Sequence, residues 1–262
     1  MTTMTATPAT AGAVRDAGSR PSLLRLTGVE LRKLIDTRAG FWLLATIGLI
    51  AAGIVAIQLV VGGPADRTFM SFFGASVFAV ALLLPVLGIL LVTSEWSQRT
   101  AMTTFALVPR RERIVVAKIG AGLVAAALSV VASLLVAAVA TLLVGVTVGN
   151  ADWGIDGPGL LNATLFQVLN TLIGVAFGMW LLNSPLAIVL YFALPTVWAM
   201  LTGMVSWLRD WAQWLDTTVT MAPLIGPEVT AGQWARLGVS MLVWLVAPML
   251  VGFFRIMRRE IS

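Results

Sequence analysis

Apolar residues run through this chain in long charge-free blocks separated by short polar segments. Six blocks stand out, at about 41–62, 69–93, 114–148, 160–182, 185–208 and 235–254. A helix needs roughly 20 apolar residues to cross the hydrocarbon layer of a bilayer, and each block meets that length. The pattern predicts an all-α integral membrane protein with six transmembrane helices in a domain over 39–262. The third block has 35 residues, about 52 Å as a helix at 1.5 Å per residue. Its first turns, around Arg113 and Lys118, are expected to project into water.

Ahead of the first block the pattern changes period. Residues 22–38, "SLLRLTGVELRKLIDTR", place Leu23, Leu24, Leu31, Leu34 and Ile35 on one helical arc and Arg25, Arg32 and Asp36 on the opposite side. This predicts an amphipathic interfacial helix over 21–38, with Ser22 as its N-cap after Pro21. A contact with a cytosolic partner is compatible with that placement. Residues 1–20 are rich in Thr, Ala and Gly and lack the 7–15-residue apolar core of a signal peptide, so they read as a disordered cytoplasmic tail.

Composition agrees with the block pattern. The 262 residues are 59% hydrophobic and 11% charged, with mean hydropathy +0.95, where soluble domains carry about 25% charged residues. The net charge of +5 is read as a topology signal and not as a nucleic-acid footprint. Of 17 Lys and Arg, 14 precede the first block, lie between the second and third, or follow the sixth; Arg67, Arg209 and Arg236 fall on the other side. Positive residues favour the cytoplasm, so both termini are expected there, in the cell membrane.

Candidate chemistry is sparse. Cysteine and histidine are both absent, which removes disulfides, thiolate nucleophiles, His/Cys metal clusters and histidine acid–base catalysis. There is no G-x-x-x-x-G-K-[ST] phosphate loop and no pair of carboxylates inside a block, so the chain reads as neither an ATPase nor an enzyme of another kind. The lack of intramembrane acids also argues against an ion-coupled carrier. In the fourth block Gln167, Asn170, Gly174 and Gly178 share a face with Thr171, which suits either close helix packing or the lining of a substrate path. The third block carries Ala121, Ala125, Ser129, Ser133, Ala137 and Thr141 at spacings of four, a ridge expected to pack. Near the fourth junction Ser184 is expected to cap a helix with Pro185 at its first position. Between the fifth and sixth blocks Trp207, Trp211 and Trp214 form a stripe that reads as an outer-interface belt or a short surface helix at an exit gate.

The most charged internal segment is "SEWSQRTAMTTFALVPRRERIVVAK", Ser94 to Lys118. Ser94 can cap a helix starting at Glu95 that ends near Val108, since Pro109 disfavours helical geometry before it. A short helix, a turn and a basic entry to the third span follow. Here the chain resembles the signature loop of ABC-2 type permeases, notably the small actinobacterial ones. Glu95, Trp96, Thr100, Pro109, Arg110, Arg113 and Lys118 occupy the places of that pattern; Arg99 stands where members often carry glycine. The layout of amphipathic helix, six spans, short fourth-to-fifth connection and large outer loop is similar over the whole chain.

The resemblance implies a transmembrane domain of the ABC-2, type V exporter-like kind. It also implies an export permease subunit that pairs with a second permease chain, a homodimer being favoured, and with separate ABC ATPase subunits that bind ATP and Mg. No cofactor is expected on this chain. Glu95, Arg99 and Thr100 would set the geometry of a coupling helix, with Arg110, Arg111 and Arg113 as ion-pair candidates toward the ATPase or anionic lipid. A path without internal charge suits hydrophobic or amphipathic cargo. The alternative is a non-transporting membrane scaffold, sensor or immunity component.

Overall fold

The computed structural model describes residues 22–98, 110–226 and 228–258. These are nearly all helical, with no strand among them. Helix α1 (Leu23–Asp36) leads through Thr37 into α2 (Arg38–Val61). Then come α3 (Phe69–Ser97), α4 (Arg111–Val148), α5 (Gly157–Leu181) and α6 (Ser184–Met204). Two short helices, α7 (Leu208–Leu215) and α8 (Thr217–Met221), build the connection to α9 (Ala231–Met241). A π-helical turn over Leu242–Val246 joins α9 to α10 (Ala247–Arg258), so the sixth block is one continuous rod. Among the described residues six helices are long and apolar enough to cross a membrane, the architecture of a multi-pass membrane protein.

Helix α3 is the central post. It is the most buried of the six, and it packs on α2, α4 and α5. Pro85 interrupts it, and a proline removes the donor that would satisfy the carbonyl four residues earlier. That carbonyl, Ala81 O, accepts instead from Asn170 Nδ2 of α5 at 2.7 Å. Gly174 makes the neighbouring crossing possible, because a Cβ there would overlap the Pro85 carbonyl; one on Gly178 would lie 3.0 Å from Ile89 O. The small and amide residues of the fourth block therefore answer a defect in the second.

The other helix ends are tied by charge and polar caps. Ser22 Oγ accepts from Arg25 N at 3.2 Å, as the sequence predicts. Arg255 donates to Trp180 O at 2.7 Å and Arg111 to Ile256 O at 3.1 Å. Both place a cation on a helix C-terminus, where orphan carbonyls and the dipole favour it. The Trp244 indole donates to Leu215 O at 2.6 Å, pinning α7 against the π-helical turn that precedes Pro248.

Several boundaries differ from the sequence reading, each for a local reason. Ser94 does not cap a new helix: α3 runs unbroken through Ser94 and Glu95 to Ser97, since no Gly or Pro stops it there. Helix α4 starts at Arg111, three residues earlier than the apolar block, because charged residues are compatible with a helix outside the bilayer. The cap of α6 is Asn183, whose Oδ1 accepts from Leu186 N at 3.0 Å, with Pro185 second in the helix. Freed from capping, Ser184 Oγ bonds Thr93 Oγ1 at 2.7 Å and meets Ser97 Oγ at 3.0 Å. The fifth block ends at Met204, not 208. The expected tail over 1–20, and Arg99, Thr100 and Pro109, lie outside the described residues.

Candidate functional site

The densest concentration of charge lies where α1 crosses the ends of α3 and α4. Lys33 Nζ sits 2.7 Å from Glu30 Oε1 and 2.6 Å from Glu95 Oε1. Lys118 Nζ sits 2.6 Å from Glu30 Oε2 and 3.1 Å from Glu95 Oε2. Each carboxylate thus bridges both ammonium groups, and the four side chains close a ring of alternating sign. Lys118 also donates to Leu91 O at 2.9 Å. Glu30, Glu95 and Lys118 are buried, and only Lys33 keeps a partly exposed flank. Burial by itself would depress the Lys33 ammonium; hydrogen bonds and attraction from Glu30 and Glu95 outweigh it and hold it above its ordinary value.

The ring explains why α1 docks as it does. Its inward side presents Thr27, Glu30 and Leu34: Thr27 lies against Gly120 of α4, and Leu34 joins a core with Leu87, Leu91, Val115 and Met179. Leu24 and Ile35, from the apolar arc of the sequence, point outward and are exposed. Lys118, expected in water, is one of the more buried cations of the chain. A small hollow of about 50 Å³ beside the ring is lined by Glu30, Lys33, Thr37, Ser94 and Gln98 together with Leu34, Ala39, Gly40, Leu90 and Leu91. Breaking one partner of such a buried arrangement costs far more than its net contribution to stability, because the remaining charge is stranded.

The other loop residues divide by side. Trp96 packs partly buried against the same core. Arg110 and Glu112 are exposed at the start of α4, while Arg111 and Arg113 are half-buried. Glu95 therefore faces inward, whereas Arg110 is exposed.

A second polar feature lies in the bundle. Asn170 Oδ1 accepts from Tyr191 OH at 2.6 Å while its Nδ2 holds Ala81 O. This pair, with Phe78, Phe177, Thr217 and Trp244, lines a cavity of about 380 Å³ between α3, α5, α6 and α8. Gln167 is fully buried on the same helix, and its amide meets no partner among the described residues, as do the Ser76 and Ser133 hydroxyls. Gly174 and Gly178 serve helix packing, as the spacing allows. Trp207 and Trp211 are exposed around the short α7, and Trp214 receives the Arg236 guanidinium at 5.9 Å from its ring centroid.

Sequence reasoning singled out Glu95, Lys118 and Asn170 but not Glu30, Lys33 or Tyr191, which the structure places beside them. A signal existed: Glu30 precedes Leu34 by one turn and so shares its buried face. Among the described residues no group of acids could hold a metal ion. No protein-family model matches the chain, and no curated protein matches it.

Proposed function

We propose that this chain is the transmembrane permease subunit of an ATP-driven exporter of the ABC-2 type, with both termini cytoplasmic and ATP hydrolysed by a separate subunit. The observation that carries this reading is the ring. It fastens an amphipathic helix to the two helices that lead into and out of the 99–109 segment. A chain lacking a nucleotide-binding motif needs a stiff element to receive force from one that has it. Three helices locked by four paired charges, three of them buried, form such an element, and Arg110 offers a cation at its edge for an acidic ATPase surface.

In this reading movement imposed on the coupling segment is transmitted along α3 to Pro85 and the aromatic cavity beyond it. The cavity is apolar apart from Asn170, Tyr191 and a few threonines, which suits hydrophobic or amphipathic cargo. Helices α2 and α6 leave most of their apolar length unburied, which provides surface for a second permease chain and for lipid.

The test is reconstitution. The chain is co-expressed with a candidate ATP-binding-cassette ATPase, purified by a tag on the permease, and assayed for hydrolysis in vesicles. Stoichiometric recovery of the ATPase, and hydrolysis that changes with added amphipathic cargo, is the expected outcome. A chain that purifies alone and leaves hydrolysis unaltered would support the scaffold or sensor alternative.

A further inference from the structure

A second hollow, of about 420 Å³, runs along the opposite flank of α3, walled by α2 and α4 and floored by α1. We propose that it binds one acyl chain of an anionic phospholipid drawn from the leaflet on the α1 side.

Four observations carry the assignment. First, the wall is made by small residues. Gly48 and Ala51 on α2, with Ala125, Ala132 and Ser133 on α4, leave the space that larger side chains would fill. The ridge of small residues on α4 therefore does not serve packing alone. Ala121, Ala137 and Thr141 are buried against neighbours, whereas Ala125 and Ser129 look into the hollow.

Second, the hollow is open on the face that meets lipid, since Ile35, Leu44 and Leu128 of its rim are exposed. Third, its length fits one leaflet. It follows α3 from Leu87 to Ser76 and α4 from Ala125 to Val136, in each case about 16 Å at 1.5 Å per residue. Half of the roughly 30 Å hydrocarbon layer is about 15 Å. A chain entering beside α1 would thus end near the bilayer midplane.

Fourth, the α1 end is basic. Arg25, Arg32 and Arg38 are exposed there; Arg32 is paired only at the surface with Asp36 at 3.3 Å. Each surface cation attracts an anionic headgroup by about 1 kcal/mol. Neutral lipid would fill the hollow without using this charge. The proposal depends on the chain spanning a membrane and not on the transport reading.

The experiment uses the full chain in nanodiscs containing phosphatidylglycerol with a diazirine near the end of one acyl chain, followed by peptide mapping after illumination. Peptides covering 76–87 and 125–136 should be labelled at least tenfold above Leu142 and Leu143, which are exposed on α4 outside the hollow. A Cβ on Gly48 meets open space and Gly48 lines the hollow, so Gly48→Phe should occupy the hollow and abolish that excess, while Gly48→Ala keeps it. Arg32→Gln with Arg38→Gln should remove the preference for phosphatidylglycerol over phosphatidylcholine. Should Gly48→Phe fold poorly, unlabelled phosphatidylglycerol titrated against the parent chain decides: saturable displacement supports the site. Labelling no stronger than at Leu142 and Leu143, labelling that survives Gly48→Phe, or cross-links from this groove to a second copy with lipid excluded would overturn it.

Discussion

Replacing Lys118 with methionine keeps most of the apolar stem and removes the ammonium with its charge and its hydrogen-bond donors, so it isolates what that group contributes to the ring. The ammonium touches Glu30 at 2.6 Å, Glu95 at 3.1 Å and the Leu91 carbonyl at 2.9 Å. Without it Glu30 and Glu95 lose the ammonium that bridges them, and the ring's other cation, Lys33, is partly exposed and screened by water. Stranding a buried charge in this way costs about 3–5 kcal/mol. Nearly all of that cost falls on the docked position of α1, because undocking lets Glu30 return to water. The chain contains no cysteine, so Thr27→Cys gives a single thiol under α1, against Gly120. Its rate of maleimide labelling reports how often the helix lifts. Lys118→Met should raise that rate by roughly two to four orders of magnitude, or to the limit of a free thiol if sooner. Adding Glu30→Gln removes one charge of each sign and leaves the Lys33–Glu95 pair at 2.6 Å. The double variant should return to within about tenfold of the parent, as expected when a pair is replaced by neutral groups. A Lys118→Met protein that labels as slowly as its parent, or a double variant as fast as the single one, would refute the ring as the fastener of α1.

Other predictions follow from the same geometry. Asn170→Leu strands the Ala81 carbonyl and the Tyr191 hydroxyl and should destabilise the bundle by about 1–3 kcal/mol; adding Pro85→Ala, which restores a donor to Ala81, should recover part of that loss in a thermal-unfolding cycle in detergent. Gly174→Val should abolish recovery of monodisperse protein on size exclusion, because its Cβ meets the Pro85 carbonyl, whereas Gly53→Ala, where a Cβ meets nothing, should behave as the parent. Since Lys33 is held above its ordinary pKa of 10.5, its contribution is fully present below that value and is lost as pH rises through the elevated one. Spin-label mobility at Thr27→Cys should thus stay low from neutral pH through the ordinary value of 10.5 and increase only above it, with Lys33→Gln removing that dependence.

The legible part of the fold was the part set by long-range average hydrophobicity. All six helices could be placed from apolar length alone, and Ser22 capped α1 because local capping chemistry needs only local sequence. The errors fell where tertiary contacts decide. Ser94 looked like a cap because its neighbours turn polar, yet a helix is indifferent to polarity and needs a breaker to stop. Lys118 looked solvated because a lone cation in an apolar run usually is. Its burial depends on two carboxylates, 88 and 23 residues away in sequence, that no periodicity of α4 reveals. Asn170 was noticed as an amide on a small-residue face, but its role became clear only beside Pro85, since a proline defect and its remedy lie on different helices. Arg110, Arg111 and Arg113 looked equivalent as a basic run; the end of α10 distinguishes them by taking Arg111 onto the Ile256 carbonyl.

The central claim is that the unit of α1, α3 and α4 faces the cytoplasm and meets a nucleotide-hydrolysing partner there. It is tested most directly by placing a photoreactive amino acid at Arg110, which is exposed, and illuminating living cells. The account predicts a covalent adduct with a P-loop ATPase that forms only on the inner side and disappears when Lys118→Met loosens the unit. Adducts reachable from outside the cell, or an Arg110 probe that captures lipid but no nucleotide-binding protein, would contradict it.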